Sequence, residues 1–469
     1  MQKPLNLQTA QRLYFLGIGG IGMSALAHYF FEEGWPVAGY DRWSNPQVSS
    51  LLHLGIAVTH EDHPDAVPEA YRHPDQCLVV LTPAIPLEAS LRRYFEAHGF
   101  TIRKRAEVLA ELANPHFLVA VAGTHGKTTT AVSLAHLLMD GGSAVRAFLG
   151  GISQNYQRNY LAQGTASGAV WIVEADEFDR SFHHLKPNIA LLTSVDADHL
   201  DVYGDARAVV EAFKTFIGGI KPNGTLLCHE DVDRSIKTSW QGHVEVYGEK
   251  QTAHWRLECR EAGLFGQEFA LYHGDEAVNG RTPIPGRHNL LNTTSAIAAA
   301  FHCGMHITDS LHALRSFRGI RRRFEIRYHG RDCTYIDDYA HHPHELEAVI
   351  QAVRHLSGER TITGIFQPHL YSRTRDFAKA FGAALSLLDQ VVLLPIYPAR
   401  EMPIAGVSSA MLALHITHSH VITLKKTEVV DWVAPRRDGR IVLTLGAGDI
   451  DQLVAPLTQM LEKSEPHAF

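Results

Sequence analysis

Short, uninterrupted apolar runs recur along the chain, and glycine, proline or a cluster of charged residues closes most of them. Residues 13–16, 37–40 and 78–81 read as buried strands, and a further short strand precedes Arg103-Lys-Arg105. Residues 117–122, 169–173 and 189–195 read the same way in the middle of the chain. Apolar residues at helical spacing follow: a helix from about Ser24, another through Ala131, Leu134, Leu137 and Leu138, and an alanine-rich one at 293–300. Strand character resumes at 327–328 and 334–336, then at 361–366, 390–395, 420–424 and 440–445, alternating with helical segments, which predicts another parallel sheet. Residues 221–279 predict only short strands and turns.

This alternation predicts an α/β protein. At 469 residues and 45% hydrophobic content the chain exceeds a single core, and about three domains are expected. The breaks place an N-terminal Rossmann-like domain at 1–115, a central mononucleotide-binding domain of the P-loop ATPase type at 116–325 and a C-terminal Rossmann-like domain at 326–469. The net charge of −7 and the dispersion of 43 Lys and Arg give no footprint for a nucleic acid. No run approaches the ~18 apolar residues of a membrane span, and residues 1–13 lack a charged segment followed by an apolar core, so a cytoplasmic location is expected. Cys77, Cys228, Cys259, Cys303 and Cys333 are far apart and without Cys-x-x-Cys spacing, which predicts reduced thiols.

The chemistry concentrates after the run at 117–122. It breaks into Gly123-Thr124-His125-Gly126, and Lys127, Thr128 and Thr129 open the helical pattern. In a strand, tight loop and helix of this kind, backbone N–H groups close around an anion at the positive helix end. Lysine then reaches the terminal phosphates and the threonine hydroxyl ligates magnesium. Only two residues separate these glycines, where the commonest phosphate-loop formula has four. The next two strands deliver acid groups at their ends: Glu174, Asp176, Glu177 and Asp179, then Asp196, Asp198, His199 and Asp201. Carboxylates there suit a metal bridging nucleotide phosphates, whereas imidazole is a less usual magnesium ligand.

Nearer the N-terminus, Gly17, Gly19 and Gly22, with Asp41 closing the next strand, satisfy the dinucleotide fingerprint; taken alone they indicate an NAD-dependent oxidoreductase. The amides of Asn289 and Asn292, beside His288, match an adenine edge, although asparagine at a helix start is also a common cap. Arg318 to Arg323 form a basic cluster able to offset phosphoryl charge, or simply a solvated face. Asp337 to Pro343, Gln367 to Thr374 and Gly446-Ala-Gly448 all fall at strand ends, where ligands bind in such sheets.

Taken together, Gly17-Ile-Gly-Gly-Ile-Gly-Met-Ser24, Gly123-Thr-His-Gly-Lys-Thr128, Glu174-Ala-Asp-Glu177, Asp198-His199, Gly286-Arg-His-Asn289 with Asn292, Arg322-Arg323-Phe324, Asp338-Tyr-Ala-His-His-Pro343 and Gln367-Pro-His369 resemble, in order, the motifs of the Mur ligases. These are ATP-dependent amide-forming enzymes of peptidoglycan precursor synthesis, and the resemblance is closest to the member that adds L-alanine to UDP-N-acetylmuramic acid. It implies three domains, binding the UDP-sugar, ATP, and the incoming amino acid with part of ATP. The N-terminal glycine turn would then hold a UDP-sugar diphosphate in place of NAD, through Gly19, Gly20, Ile21, Gly22 and Met23 with Asp41, Thr82, Ala84 and Arg105. Gly123 to Thr129 would bind ATP, with Lys127 on its β- and γ-phosphates; His288, Asn289 and Asn292 would meet adenosine, and Arg323, Asp338 and His341 would close over the nucleotide.

Thr128 would hold one magnesium ion, and Glu174 with His199 a second, with manganese as a substitute; Lys127, Glu174, His199 and Arg323 form the implied catalytic set. His369 and Arg373 lie where the family binds the amino-acid and acyl end. The implied reaction runs through an acyl phosphate, in a monomer or homodimer. Two positions depart from the family pattern: Phe178 where many relatives carry serine, and Leu370 where many carry arginine. Some Mur ligases use a carbamylated lysine near the metals; Lys214 reads here as a surface helix residue. Within the family the alternative is the ligase that attaches a recycled tripeptide to the same nucleotide, whose glycine turn is interrupted by Cys and Phe residues absent from Gly17 to Met23.

Overall fold

The computed structural model describes residues 5–177, 180–196, 203, 205–331, 333–399, 401–417, 420–436 and 439–464. Three sheets organise the chain. The first contains β1 (Arg12–Leu16), β2 (Val37–Tyr40), β3 (Ala57–Thr59), β4 (Cys77–Leu81) and β5 (Ile102–Lys104) in the order β3-β2-β1-β4-β5, every pair parallel. Leu13, Tyr14, Phe15 and Leu16 are wholly buried, because helices cover both faces of such a sheet. The order reverses between β1 and β4, so the glycine turn after β1 and Thr82 after β4 meet at the switch point where ligands bind in open α/β sheets.

The central sheet has ten strands: β6 (Phe117–Ala122), β7 (Val145–Phe148), β8 (Tyr160–Gln163), β9 (Val170–Glu174), β10 (Ile189–Leu192), β11 (Thr225–His229), β12 (His243–Gly248), β13 (Trp255–Gly263), β14 (Gly266–His273) and β15 (Glu276–Thr282). Their order is β15-β14-β13-β12-β11-β10-β6-β9-β7-β8. β6 runs parallel to both neighbours, pairing Val121 with Glu174 of β9 and with Leu191 of β10. The loop after β6 therefore opens beside the ends of β9 and β10, which gathers three separate sequence motifs. The third sheet, β16 (Glu325–His329), β17 (Cys333–Asp338), β18 (Thr361–Phe366), β19 (Gln390–Leu393), β20 (His420–Thr423) and β21 (Arg440–Leu445), has the order β16-β17-β21-β18-β19-β20. Only the β16–β17 pair in it is antiparallel.

The chain condenses into two compact units, residues 1–257, 271–278 and 291–317, and residues 258–270, 279–290 and 318–469. Three sheets thus match the three expected folding patterns; the expected boundary after residue 115 falls between the first two of them, which lie in one compact unit. Its physical basis is a shared core. Phe15, Leu26 and Phe30 of the first sheet's layer belong to the same buried cluster as Leu118, Phe148, Tyr160 and Trp171 of the central one. Tyr29 packs its ring against Phe148 at 5.6 Å and Trp171 at 5.7 Å between centroids, and Asn159 donates from its side-chain amide to the Ile21 carbonyl at 2.6 Å and to Ser24 Oγ at 3.0 Å. Aromatic pairs at such separations add about 0.5–1.5 kcal/mol each beyond the area they bury.

Candidate functional site

Gly123 and Gly126 carry the turn from β6 into the helix Lys127–Asp140, with φ of 135° and 82°, a region that other residues enter only under strain. Space is also short: a Cβ on Gly123 would lie 2.1 Å from Thr193 Oγ1, and one on Gly126 2.4 Å from Asn292 Oδ1. The end of β10 braces this loop. Ser194 Oγ accepts from the His125 N–H at 3.0 Å, the Ser194 carbonyl accepts from the Thr124 N–H at 3.1 Å, and Thr193 Oγ1 donates to the Ala122 and His125 carbonyls. Thr124 Oγ1 accepts from the Asp196 N–H at 2.9 Å. Thr193 and Ser194 have no signal in the sequence beyond lying in the tail of the run at 189–195.

Lys127 and Thr128 open the helix, Thr128 facing the carboxylate that ends β9 and Lys127 one three residues past it. Lys127 Nζ donates to Glu177 Oε1 and Oε2 at 3.0 and 2.9 Å and to the Gly123 carbonyl at 2.7 Å. Burial pushes Glu177 up to about 7, and the Lys127 ammonium pulls it only part of the way back. For Lys127, burial disfavours the charge, yet Glu177 and Asp176 outweigh it and hold the lysine above its ordinary pKa. Thr128 Oγ1 donates to Glu174 Oε1 at 2.8 Å, while the Gly150 N–H donates to Glu174 Oε2 at 2.7 Å. Two of the three expected metal ligands, Thr128 and Glu174, are thus in direct contact. These are hard oxygen donors, a hydroxyl and a carboxylate, and such a donor set fits magnesium. His199, Asp198, Asp179 and Phe178 lie outside the described residues.

At the switch point of the first sheet, Gly17 (φ 85°) leaves no room for a side chain, since a Cβ would lie 2.4 Å from Thr82 Cγ2. Asp41 turns back on the glycine turn: its Oδ2 accepts from the Gly19 N–H at 2.8 Å and its Oδ1 from the Trp43 N–H at 3.1 Å. Asn45, which sequence reasoning missed, donates to the Gly19 carbonyl at 3.2 Å. Arg105 opens the helix Arg105–Ala113, its guanidinium so near Gly22 that a Cβ there would be 2.9 Å from Nη1. Gly20 and Ile21 lead into the helix Ile21–Glu32, where Met23 is buried, while Ala84 is exposed beyond β4. Arg105 and Ala106 line one small cleft together with Glu174, Asp176 and Ser181, so the glycine-turn arginine and the phosphate-loop carboxylate face a common space.

In the second unit the ends of β17, β18 and β21 converge. The Gly446 N–H donates to the Asp338 carbonyl at 3.2 Å and the Gln367 N–H to the Leu445 carbonyl at 3.0 Å. Asp338 is 4% exposed, and its two carboxylate oxygens accept from the Phe324 and Ala340 N–H groups at 2.6 and 2.7 Å. Burial nevertheless pushes it up to about 6, the Arg323 guanidinium and both N–H donors opposing. Arg322, at φ 61°, binds Asp337 through Nε at 3.0 Å and the Gly446 carbonyl through Nη2 at 2.7 Å. Arg323 lies over the Tyr339 ring at 5.1 Å. His341 is lowered to about 4 by burial against the opposing pull of Glu345, and its ring stands 5.8 Å from that of His369, which stacks on Tyr397.

Arg373 lies on the short helix Tyr371–Asp376. Leu370 before it holds φ 70°, an uncommon conformation for a branched side chain. His288 is lowered to about 4, by burial and then by Arg323, and the Asn289 amide donates to the Pro285 carbonyl at 2.8 Å. In the first unit, Asn292 borders Gly126 of the phosphate loop.

A glycine loop at a helix start, with its lysine and threonine each meeting an acid from the neighbouring strand, defines an α/β enzyme that works on a nucleoside triphosphate. Models of the Mur ligase family match almost the whole chain: the Mur ligase family catalytic domain at residues 12–117, the Mur ligase middle domain at 121–300 and the Mur ligase glutamate ligase domain at 322–448. The chain belongs to the Mur ligase family. Among its relatives are the UDP-N-acetylmuramate–L-alanine ligases of Cytophaga hutchinsonii, 40% identical over 98% of this chain and 98% of that one, and of Porphyromonas gingivalis, 40% identical over 96% and 99%. The solved UDP-N-acetylmuramate-alanine ligase of Thermotoga maritima superposes with a TM-score of 0.82 at 26% identity, covering 97% of this chain and 100% of that one. A murein peptide ligase from Psychrobacter arcticus shares the fold, with a TM-score of 0.70 at 20% identity over 98% and 100% of the two chains.

Proposed function

We infer that this chain joins L-alanine to the carboxylate of UDP-N-acetylmuramic acid in peptidoglycan precursor synthesis, converting ATP to ADP and phosphate. The observation that carries this beyond family likeness is the phosphate loop, where Lys127 meets the Glu177 carboxylate at 2.9 Å and Thr128 meets Glu174 at 2.8 Å. In this reading the glycine turn, with Arg105 and Thr82, binds the UDP-sugar and so directs its acid group toward the terminal phosphate of ATP. Gly123 to Thr129 hold the triphosphate, and Lys127 exchanges Glu177 for the β- and γ-phosphates. A divalent metal fits Thr128 and Glu174; we assign magnesium, in two sites with His199 completing the second, and when bound it supplies charge neutralisation on the phosphate oxygens.

The sugar carboxylate oxygen attacks the γ-phosphorus, the bridging P–O bond breaks and ADP leaves with that electron pair. The free amine of alanine, its ammonium proton given to solvent, then attacks the acyl carbon; the C–O bond to phosphate breaks, the nitrogen gives a second proton to solvent as the amide forms, and phosphate departs. Lys127 offsets the charge that shifts toward the bridging oxygen in the first step, where a fixed cation in a dry site is worth most. We assign His288, Asn289, Asn292, Arg323, Asp338 and His341 to the nucleotide, and His369 and Arg373 to the amino acid. The substrates are nucleotides of the cell interior, so we place the reaction in the cytoplasm; among the described residues no helix is long and apolar enough to cross a membrane.

Phosphate release measured with UDP-N-acetylmuramic acid, ATP and either L-alanine, tripeptide or no amine tests the assignment. Release stimulated by alanine is expected; stimulation by tripeptide alone would transfer the chain to the recycling reaction. Lys127→Ala is expected to abolish alanine-dependent release, and near-normal turnover in that variant would remove Lys127 from the catalytic residues.

A further inference from the structure

A second cluster of ligand-type side chains lies where β12 begins, at the end of the central sheet away from the phosphate loop. His243 and Glu245, two apart on β12, point to one face, as strand alternation requires. His302, the last residue of the helix Arg287–His302, reaches the same carboxylate. His243 Nε2 lies 2.9 Å from Glu245 Oε1 and His302 Nε2 2.9 Å from Glu245 Oε2; Trp255 Nε1 donates to Oε2 at 2.6 Å. The carboxylate is 10% exposed, His302 19% and His243 58%, so the cluster opens to solvent on one side only. Burial disfavours the Glu245 charge, but the contacts with His302, Trp255 and His243 outweigh it and keep the group ionised well below the usual carboxylate range.

We propose that His243, Glu245 and His302 form a binding site for a divalent transition-metal ion, of the Zn²⁺, Co²⁺ or Ni²⁺ class, separate from the nucleotide site. One ligand atom from each of the three residues lies within 4.8 Å of the others. Two imidazoles with one carboxylate select this class over Mg²⁺ or Ca²⁺, which demand oxygen. Three protein ligands with an open side leave a position for water. Capture requires each ring to carry its proton on Nδ1 and present the Nε2 lone pair, a tautomer change that costs no net charge. Trp255 holds the carboxylate in place by a bond from outside the ligand set, the arrangement that tunes most metal sites. The helix C-terminus, where His302 lies, adds a partial negative charge that favours a cation.

The position excludes confusion with the ligase chemistry. β12 runs parallel to β11, β11 to β10 and β10 to β6, so His243, the first residue of β12, lies at the strand ends opposite the loop that follows β6. On the helix Arg287–His302, Asn292, against Gly126, and His302 are ten residues apart, about 15 Å at 1.5 Å per residue. A metal at His302 pins the far end of the helix that borders the phosphate loop.

The full-length chain, titrated with Co²⁺ in excess Mg²⁺, is expected to bind one equivalent with visible ligand-field absorption. His243→Ala and His302→Ala should each weaken that binding at least about tenfold, whereas Glu174→Gln should leave it intact. Zn²⁺ should raise the melting temperature of the parent chain and not of the two histidine variants. His243 is largely exposed, so its variant should fold and keep the parent's ligase turnover. Binding weaker than about 1 mM, a signal unchanged in both histidine variants, or one lost in Glu174→Gln would each overturn the proposal.

Discussion

Lys127 is already engaged before any nucleotide arrives, and this makes Glu177→Gln an informative perturbation. Glu177 is 2% exposed and meets the ammonium with both oxygens at 3.0 and 2.9 Å. Glutamine keeps one neutral acceptor on Lys127 and removes the charge. Hydrogen bonds to charged groups contribute about 1.5–3 kcal/mol and neutral ones about 0.5–1.5, so the resting contact weakens by roughly 2 kcal/mol, allowing for the Gly123 carbonyl that remains. The triphosphate must displace that contact to reach the lysine. Its complex therefore loses less than the free protein does, and the difference emerges as affinity: roughly 2 kcal/mol is about 30-fold in Kd. Calorimetric titration with a non-hydrolysable ATP analogue, alongside denaturant unfolding of the free chain, reads both halves of the cycle. Lower stability of the free variant together with tighter analogue binding is the expected pair. An affinity unchanged or weakened in a folded variant would refute the idea that Glu177 competes with phosphate for Lys127.

Further outcomes follow from the same geometry. Gly150→Ala would put a Cβ 2.4 Å from Glu174 Oε2, displacing the carboxylate from Thr128; kcat should fall by about 10–100-fold, as for other supports of metal ligands, with a raised magnesium requirement and unchanged folding, and a normal magnesium dependence would contradict the role given to Glu174. Arg322→Ala strands the fully buried Asp337 and should cost about 3–5 kcal/mol in denaturant unfolding; a loss under about 1 kcal/mol would mean the pair is solvated. Asp338, pushed up to about 6 from an unfolded value near 3.9, contributes stability that is complete below about pH 4 and is lost as pH rises toward 6, by up to about 2.9 kcal/mol. His288 and His341, lowered to about 4, act in the opposite sense, losing stability as pH falls below 6.5, so the comparison must be parent against Asp338→Asn. The parent should gain on that variant as pH drops from 7 to 4.5, and a constant gap would count against a raised Asp338.

Much of this was legible from residues because parallel strands buried on both faces leave continuous apolar runs. The strand at 117–122 was found with the bounds of β6, and the strand–glycine–helix join around Gly126 needed no partner from elsewhere to be recognised. Lys214, taken as a surface helix residue, lies on the helix Ala206–Ile217 and pairs with Glu211. What stayed hidden was relational. Glu177 was visible as an acid but not as the partner of Lys127, fifty positions earlier. Thr193 and Ser194 read as the tail of a strand, though their hydroxyls fix the phosphate loop, and the strand itself ends at Leu192. In the stretch that predicts only short strands and turns, the bounds of the longer β13 and β15 are not legible, because RLECREAG and EAVNGRT expose polar side chains along most of their length and leave little apolar alternation.

The stitching of Tyr29, Phe148, Tyr160 and Trp171 across the first two sheets has a practical consequence. An expression product beginning at residue 116 would carry a bare aromatic wall where its companion layer belongs, and should aggregate unless those rings are made polar.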